Sequence, residues 1–146
     1  MRLTNILMGM ILSLLCLVAF PAHADQGESQ PVTVEYYYKC LPGGTGDWLA
    51  LYKKNYSPVV KELLKQGILK SQTLYTRRVC ALSPAWDFKH VMVWRDWAAL
   101  NEAHHHMGEI IKRLSPNQTQ YDQEEKQRWQ LTTAHWDDVL QEVPLD

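Results

Sequence analysis

Three adjacent histidines, His104, His105 and His106, form the densest group of metal-binding side chains in the sequence. Successive helix positions point about 100° apart, so these three imidazoles cannot all bind one ion. The pairs that share a helix face are Glu102 with His106 and His105 with Glu109, each four residues apart. Two ligands make a weak transition-metal site unless another element supplies a third. We therefore predict a solvated helix face and no metal site.

His90 lies in the middle of an apolar segment, between Phe88 and Met92. An imidazole titrates near neutral pH, so a buried His90 could accept a proton or act as an axial ligand. His90 and His135 are also the candidates for a third metal ligand. The alternative is that His90 is a hydrogen-bonded core histidine.

Glu35 carries a carboxylate in the middle of a strand-like segment. It could act as a general acid or base in a cavity, or form an ion pair with Arg77 or Arg78. Nothing in the sequence identifies a catalytic residue. The predicted polar and aromatic contacts to a ligand are Glu35, Tyr37, His90 and Trp94.

The first 24 residues have the pattern of an export signal. Arg2 precedes an apolar run at positions 6–20, and small residues stand at Ala22 and Ala24. A membrane span needs about 20 apolar residues, so this shorter run indicates a cleaved signal peptide. We expect a flexible leader at 25–31, one domain at 32–146, no membrane span after cleavage, and a periplasmic or extracellular location.

The cysteines agree with export. Cys16 leaves with the signal, and Cys40 and Cys80 remain. Two thiols in an oxidising compartment predict one disulfide, Cys40–Cys80. The alternative is two unpaired, buried thiols.

Composition narrows the set of partners. The net charge of −1 and the absence of a basic stripe argue against nucleic acid. Six Trp and seven Tyr supply a dense aromatic core, and are enough to line a ligand cavity or an interface as well.

Hydrophobic periodicity gives the order of the elements. It predicts strands at 32–39, 68–79 and 86–95, and helices at 48–67 and 97–114 capped by Asp47 and Asp96. Pro58 should kink or restart the first helix, and Gly67 should end it. A mostly exposed helix at 118–131 and an edge strand or extended arm at 134–145 complete the chain. This order is α+β and ferredoxin-like, βαββα(α)β, with the third strand antiparallel between the first two.

The strand at 86–95 predicts how the sheet is covered. Phe88, His90, Met92 and Trp94 share one face, and Lys89, Val91, Val93 and Arg95 share the other. Both faces carry apolar side chains, but one layer of helices covers only one face. The other face therefore predicts a homodimer formed through the sheet.

The segments YYYKCLPGGTGDWLALYKKNYSPVVKELLKQGILKSQTLY and HVMVWRDWAALNE resemble the dimeric α/β-barrel superfamily, which includes NIPSNAP-like and antibiotic-biosynthesis-monooxygenase-like proteins. The resemblance covers about residues 32–114. It implies two protomers with their sheets packed face to face. It also implies a cavity, either between sheet and helices or inside the joint barrel.

Activities in that superfamily range from cofactor-free oxygenation to haem breakdown to none known, so fold does not give function. We expect an exported protein that binds a small apolar or aromatic ligand, without a cofactor. The alternatives are a cofactor-free monooxygenase-like or haem- or metal-dependent enzyme, and a structural or partner-binding dimer.

Overall fold

The computed structural model describes residues 30–77, 86–143 and 145. The predicted signal peptide, most of the leader, Arg78 and Cys80 lie outside these residues. In chain order the elements are β1 (Val32–Cys40), α1 (Thr45–Leu51), a π-helical segment (Tyr52–Tyr56), α2 (Ser57–Lys65), β2 (Leu69–Thr76), β3 (Phe88–Trp94), α3 (Trp97–Asn101), α4 (Ala103–Leu114), α5 (Gln118–Gln130) and β4 (Thr132–Leu140).

The four strands form one sheet in the order β2-β3-β1-β4, and every neighbouring pair is antiparallel. This confirms the predicted α+β architecture, with β3 between β1 and β2. Of the two alternatives for the tail, the structure shows the edge strand, although β4 begins and ends earlier than the pattern at 134–145 suggested.

The two faces of the sheet have different surroundings. In β3, Phe88, His90, Met92 and Trp94 are buried, and the residues between them are partly exposed. Buried side chains of α2 and α4, such as Leu63 and Ile110, pack with Val34 and Met92 in one cluster. We call this face the helix side. The opposite face, which carries Glu35, Tyr37 and Lys89, is the open face.

The first helix differs from its prediction at the start. It begins at Thr45, and Gly44 rather than Asp47 is the N-cap residue. The turn around Gly43, whose φ is 80°, allows the helix to start early. Asp47 then falls in the first turn, where its carboxylate interacts favourably with the helix dipole.

The predicted interruption near Pro58 is present. The π-helical segment runs directly into α2, and Pro58, which lacks an N–H, lies in the first turn of α2, where the hydrogen-bond pattern changes. Gly67, with φ of 69°, ends this helix as predicted. The N–H of Gly67 donates to Leu64 O and that of Ile68 to Leu63 O, both at 3.0 Å, which is a Schellman closure.

The second predicted helix is two helices that break at Glu102. Asp96 caps the first of them as predicted, since its carboxylate accepts from Ala99 N at 2.7 Å. Across the described parts of the chain, no helix combines the length and the apolar character needed to cross a membrane.

Candidate functional site

The four predicted ligand contacts do not lie together. Glu35 and Tyr37 stand on the open face, and His90 and Trp94 stand on the helix side. Alternation along β1 and β3 makes this separation unavoidable, because residues of odd and even number point to opposite faces. The sheet therefore presents two distinct sites.

His90 is fully buried, with 0% exposure, and both of its ring nitrogens are hydrogen-bonded. Its Nε2 lies 2.9 Å from Gln72 Oε1, and its Nδ1 lies 2.6 Å from the Tyr52 hydroxyl. Because Oε1 can only accept, Nε2 carries the proton and the Tyr52 O–H donates to Nδ1. Burial lowers the pKa of His90 to about 4, so the ring is neutral at pH 7. Neither nitrogen is free to bind a metal in this arrangement.

Aromatic side chains fill the space between His90 and the first helix. Trp48 stacks on Tyr52 at a ring-centroid distance of 5.1 Å and on Phe88 at 4.6 Å. Tyr52 and Tyr56 contact the His90 ring edge-on at 5.7 and 6.2 Å. The π-helical segment carries both tyrosines, which places their rings over the centre of the sheet. Packing therefore occupies the helix side around His90.

Arg128 packs against this aromatic cluster, a role that the sequence pattern does not reveal. Its guanidinium lies over the rings of Trp129, Trp48 and Tyr56 at 4.9, 5.4 and 5.9 Å. It also bonds the Glu125 carboxylate, with Nη2 2.7 Å from Oε2. Arg128 is the only buried residue of α5, which is otherwise polar all round. An isolated Arg on a polar helix carries no periodic signal that could have revealed this role.

The open face carries a charged and phenolic group that is partly exposed. The Tyr37 hydroxyl donates to Glu35 Oε2, and Lys89 Nζ lies 2.9 Å from Glu35 Oε1. The Tyr37 hydrogen bond and Lys89 together hold the pKa of Glu35 below its usual range. Burial and the neighbouring carboxylate raise the pKa of Tyr37 to about 12. At neutral pH Glu35 is thus a carboxylate and Tyr37 a phenol.

Aromatic rings surround this group. Trp136 stacks on Tyr37 with centroids 5.1 Å apart and planes 8° apart, and Trp86 meets Tyr37 edge-on at 6.0 Å. The Arg77 guanidinium lies 4.7 Å above the Trp86 ring. The Lys89 ammonium lies within 5.8 Å of the rings of Tyr37 and Tyr75. The open face therefore offers flat aromatic surface next to a compensated pair of charges.

The histidine cluster is on the surface of α4. His106 Nε2 lies 3.5 Å from Glu102 Oε2, one of the two pairs picked out from the sequence. His105, His106 and Glu109 border a shallow groove, but Lys112 bonds Glu109 at 2.8 Å. Among the described residues, no three His, Cys, Asp or Glu side chains converge to hold a metal ion.

Cys40 is a buried thiol at the end of β1. Its N–H donates to Asp87 Oδ2 at 2.7 Å, and burial raises the pKa of the thiol to about 11. Cys80 lies outside the described residues, so the disulfide stays a prediction.

Comparison with known proteins supports the fold. No family model and no curated protein matches the chain. A structure described as a candidate antibiotic biosynthesis monooxygenase from Caulobacter crescentus is 14% identical, with 84% of this chain and 98% of that chain covered and a TM-score of 0.51. A dimeric ferredoxin-like protein from an uncultured marine organism is 9% identical, with coverage of 84% and 97% and a TM-score of 0.51.

A NIPSNAP domain protein from Burkholderia xenovorans is 10% identical, with coverage of 80% and 98% and a TM-score of 0.49. The two matches with a TM-score of 0.51 confirm the resemblance to monooxygenase-like and ferredoxin-like proteins in fold. At such low identity they say nothing of the activity of this chain.

Proposed function

We propose that the protein is an exported homodimer that packs the open faces of two sheets together and binds a small apolar or aromatic ligand between them. The observation that carries the proposal is the half-exposed aromatic surface of Tyr37, Trp136 and Trp86 around the Glu35–Lys89 pair. Helices cover the other face of the same sheet.

The second copy is the occupant that this face fits best. Tyr75 and Leu140 point to the open face and are each 47% exposed. Beyond β4, Val143 and Leu145 are also exposed, at 75% and 96%. Large exposed apolar patches are rare on monomers. One of the fold neighbours is described as dimeric, which supports a dimer for this chain as well.

Pairing of Glu35 with Lys89 lowers the free-energy cost of burying this face. A lone carboxylate between two sheets would carry a penalty of several kcal/mol, and a paired one carries much less. Glu35 and Lys89 are already paired within one protomer, at 17% and 24% side-chain exposure. This pair therefore needs no charged partner from the second copy.

The ligand site is proposed on the open face, because side chains occupy the space around His90. A planar ligand would stack on Tyr37 and Trp136, next to the Glu35–Lys89 pair. Of the predicted contacts, Glu35 and Tyr37 keep this role, and His90 and Trp94 support the sheet from behind.

Substitution at the centre of the open face tests the dimer. Val91 lies there, opposite Glu35 on β1 and Thr73 on β2. We expect sedimentation of a wild-type dimer at micromolar concentration, and a folded monomer for Val91→Lys. The matched control is Val139→Lys, since Val139 is 49% exposed and opposite Val34 on the helix side. A monomeric wild-type protein would overturn the dimer.

Fluorescence of the dimer with 1-anilinonaphthalene-8-sulfonate tests the ligand site. Trp136→Ala should weaken binding of this aromatic anion, whereas Trp129→Ala, at an exposed position on α5, should not. Equal binding by both variants would refute a site on the open face and favour a purely structural dimer. Soret absorption or bound metal in the purified protein would instead favour the enzyme. Export is tested by the mass of the secreted chain, which should begin at Asp25.

A further inference from the structure

Two side chains of opposite charge on the open face, Lys39 and Asp138, form no ion pair within the described part of the chain. Lys39 lies on this face because it alternates with the buried residues of β1, and Asp138 lies there as the register partner of Glu35. Both are exposed. They differ in this from Glu35 and Lys89, which pair with each other at 2.9 Å.

Lys39 and Asp138 cannot pair with each other in one protomer. Asp138 is opposite Glu35, and Lys39 lies four residues farther along β1. Four steps of about 3.4 Å separate the two positions by about 14 Å along the strands, which is too far for a direct ion pair. Asp138 instead stands beside the Glu35 carboxylate, and like charges at opposite positions of neighbouring strands repel. Packing a second sheet on this face would bury Asp138 unpaired unless the second copy supplies a cation.

We propose that Asp138 pairs with the partner's Lys39, and that the two-fold axis of the dimer passes beside the Tyr37–Trp136 stack. This inference rests on the proposed function, because it needs a dimer formed through the open faces. In a two-fold interface, every contact between two different positions occurs twice, with the roles of the two copies exchanged. The ion pair therefore forms once on each side of the axis.

The charges on β1 and β4 have the pattern that such an axis requires. Tyr37 is opposite Trp136, and their rings stack with centroids 5.1 Å apart. These rings separate an acidic end of the face, which holds Glu35 and Asp138, from a basic end, which holds Lys39. A 180° rotation about an axis that crosses the strands at the rings places the acidic end of one copy over the basic end of the other.

An axis at the level of Glu35 would have the opposite effect. Glu35 and Asp138 would then face the same two residues of the second copy, and four acidic side chains would meet between sheets about 10 Å apart. Moving the axis by two residues, to Tyr37, brings the partner's Lys39 over Glu35 instead. From there Asp138 is one strand spacing away, about 4.8 Å, which a long and flexible Lys side chain can span. Aromatic rings of the two copies then meet at the axis, so the proposed ligand site lies between the subunits.

Charge reversal tests the pair, with the dimer dissociation constant of the full mature chain measured by sedimentation equilibrium. Lys39→Glu and Asp138→Lys should each raise this constant at least about tenfold, because like charges then meet across the interface. Asp137→Lys is the matched control. Asp137 is the exposed neighbour of Asp138 and lies opposite Tyr36 on the helix side, so its reversal should leave the dissociation constant unchanged.

A mixture of the two single variants gives the decisive result. In a heterodimer of Lys39→Glu with Asp138→Lys, both pairs again join opposite charges, one pair with native residues and the other with the charges exchanged. The heterodimer should therefore form with wild-type affinity although neither variant forms a tight homodimer, and misfolding of a variant cannot produce this result. If wild type is a dimer and the mixture associates no more tightly than the separate variants, the Lys39–Asp138 pair is refuted and the proposed dimer stands. A monomeric wild-type protein would refute both.

Discussion

Acidification should destabilise the protein through His90. The ring is neutral and fully buried in the folded state, and burial lowers its pKa to about 4, against about 6.5 in an unfolded chain. Between these two values the unfolded state binds more protons than the folded state. Unfolding free energy therefore falls as pH decreases from 6.5, and the loss is complete below pH 4.

The size of this effect follows from the difference in pKa. It corresponds to about 3 kcal/mol, a large part of the 5–15 kcal/mol that stabilises an ordinary domain. Urea unfolding followed by tryptophan fluorescence at pH 7 and at pH 4 measures it. Carboxylates whose pKa is lowered in the folded state, such as Glu35 and Asp96, also reduce the free energy of unfolding in acid. Their effect appears at pH values below their unfolded pKa of about 4. The comparison of variants is therefore what isolates His90.

His90→Gln is the decisive variant, because it keeps polar contacts to Tyr52 and Gln72 without a titrating ring. It should be less stable than wild type at pH 7, yet lose about 3 kcal/mol less between pH 7 and pH 4. His104→Gln, at an exposed position on α4, should keep the wild-type profile. If His90→Gln and wild type lose the same stability over this interval, His90 is not a desolvated neutral histidine.

Three further measurements address other parts of the molecule. Thiol labelling of the unfolded, unreduced mature protein should find no reactive cysteine if Cys40 and Cys80 are bonded; such a bond contributes about 3–4 kcal/mol, and two labelled thiols would disprove it. Zinc titration by calorimetry should show weak binding that is insensitive to changing His105 and His106 to Ala; submicromolar binding abolished by that change would establish a metal site. Asp96→Ala should cost about 1 kcal/mol in thermal unfolding and Asp96→Asn much less, unless the 2.7 Å bond to Ala99 N has no capping role.

Local signals were enough to predict the sheet and its faces. The alternation of β3 identified its buried set, and Asp96 was recognised as a cap because its position before an apolar stripe is a local pattern. Asp47 failed as a cap, because the glycine turn before it allowed an earlier start that the apolar periodicity does not show.

The contacts that define the helix-side cluster could not be predicted in the same way. Tyr52 meets His90 only because a π-helical segment and a strand 38 residues away are packed together. Arg128 comes from a helix whose pattern is polar on every side. The Tyr52–His90 contact and the position of Arg128 both depend on how distant segments pack together, and no local sequence pattern shows that. The Glu35–Tyr37 contact could be predicted from the sequence, since residues two apart on a strand share a face.

The way in which α5 is attached has a consequence for local unfolding. Its C-terminal end is held by Arg128, by the Leu131 carbonyl that accepts from Leu41 N at 2.8 Å, and by Thr132. Towards the middle, Glu124 bonds the exposed Lys54. A helix with one buried side chain adds little apolar burial, so its opening free energy lies well below that of the sheet. Its amide protons should exchange with solvent as one early cooperative unit, and each opening briefly exposes the aromatic rings beneath Arg128 without unfolding the strands.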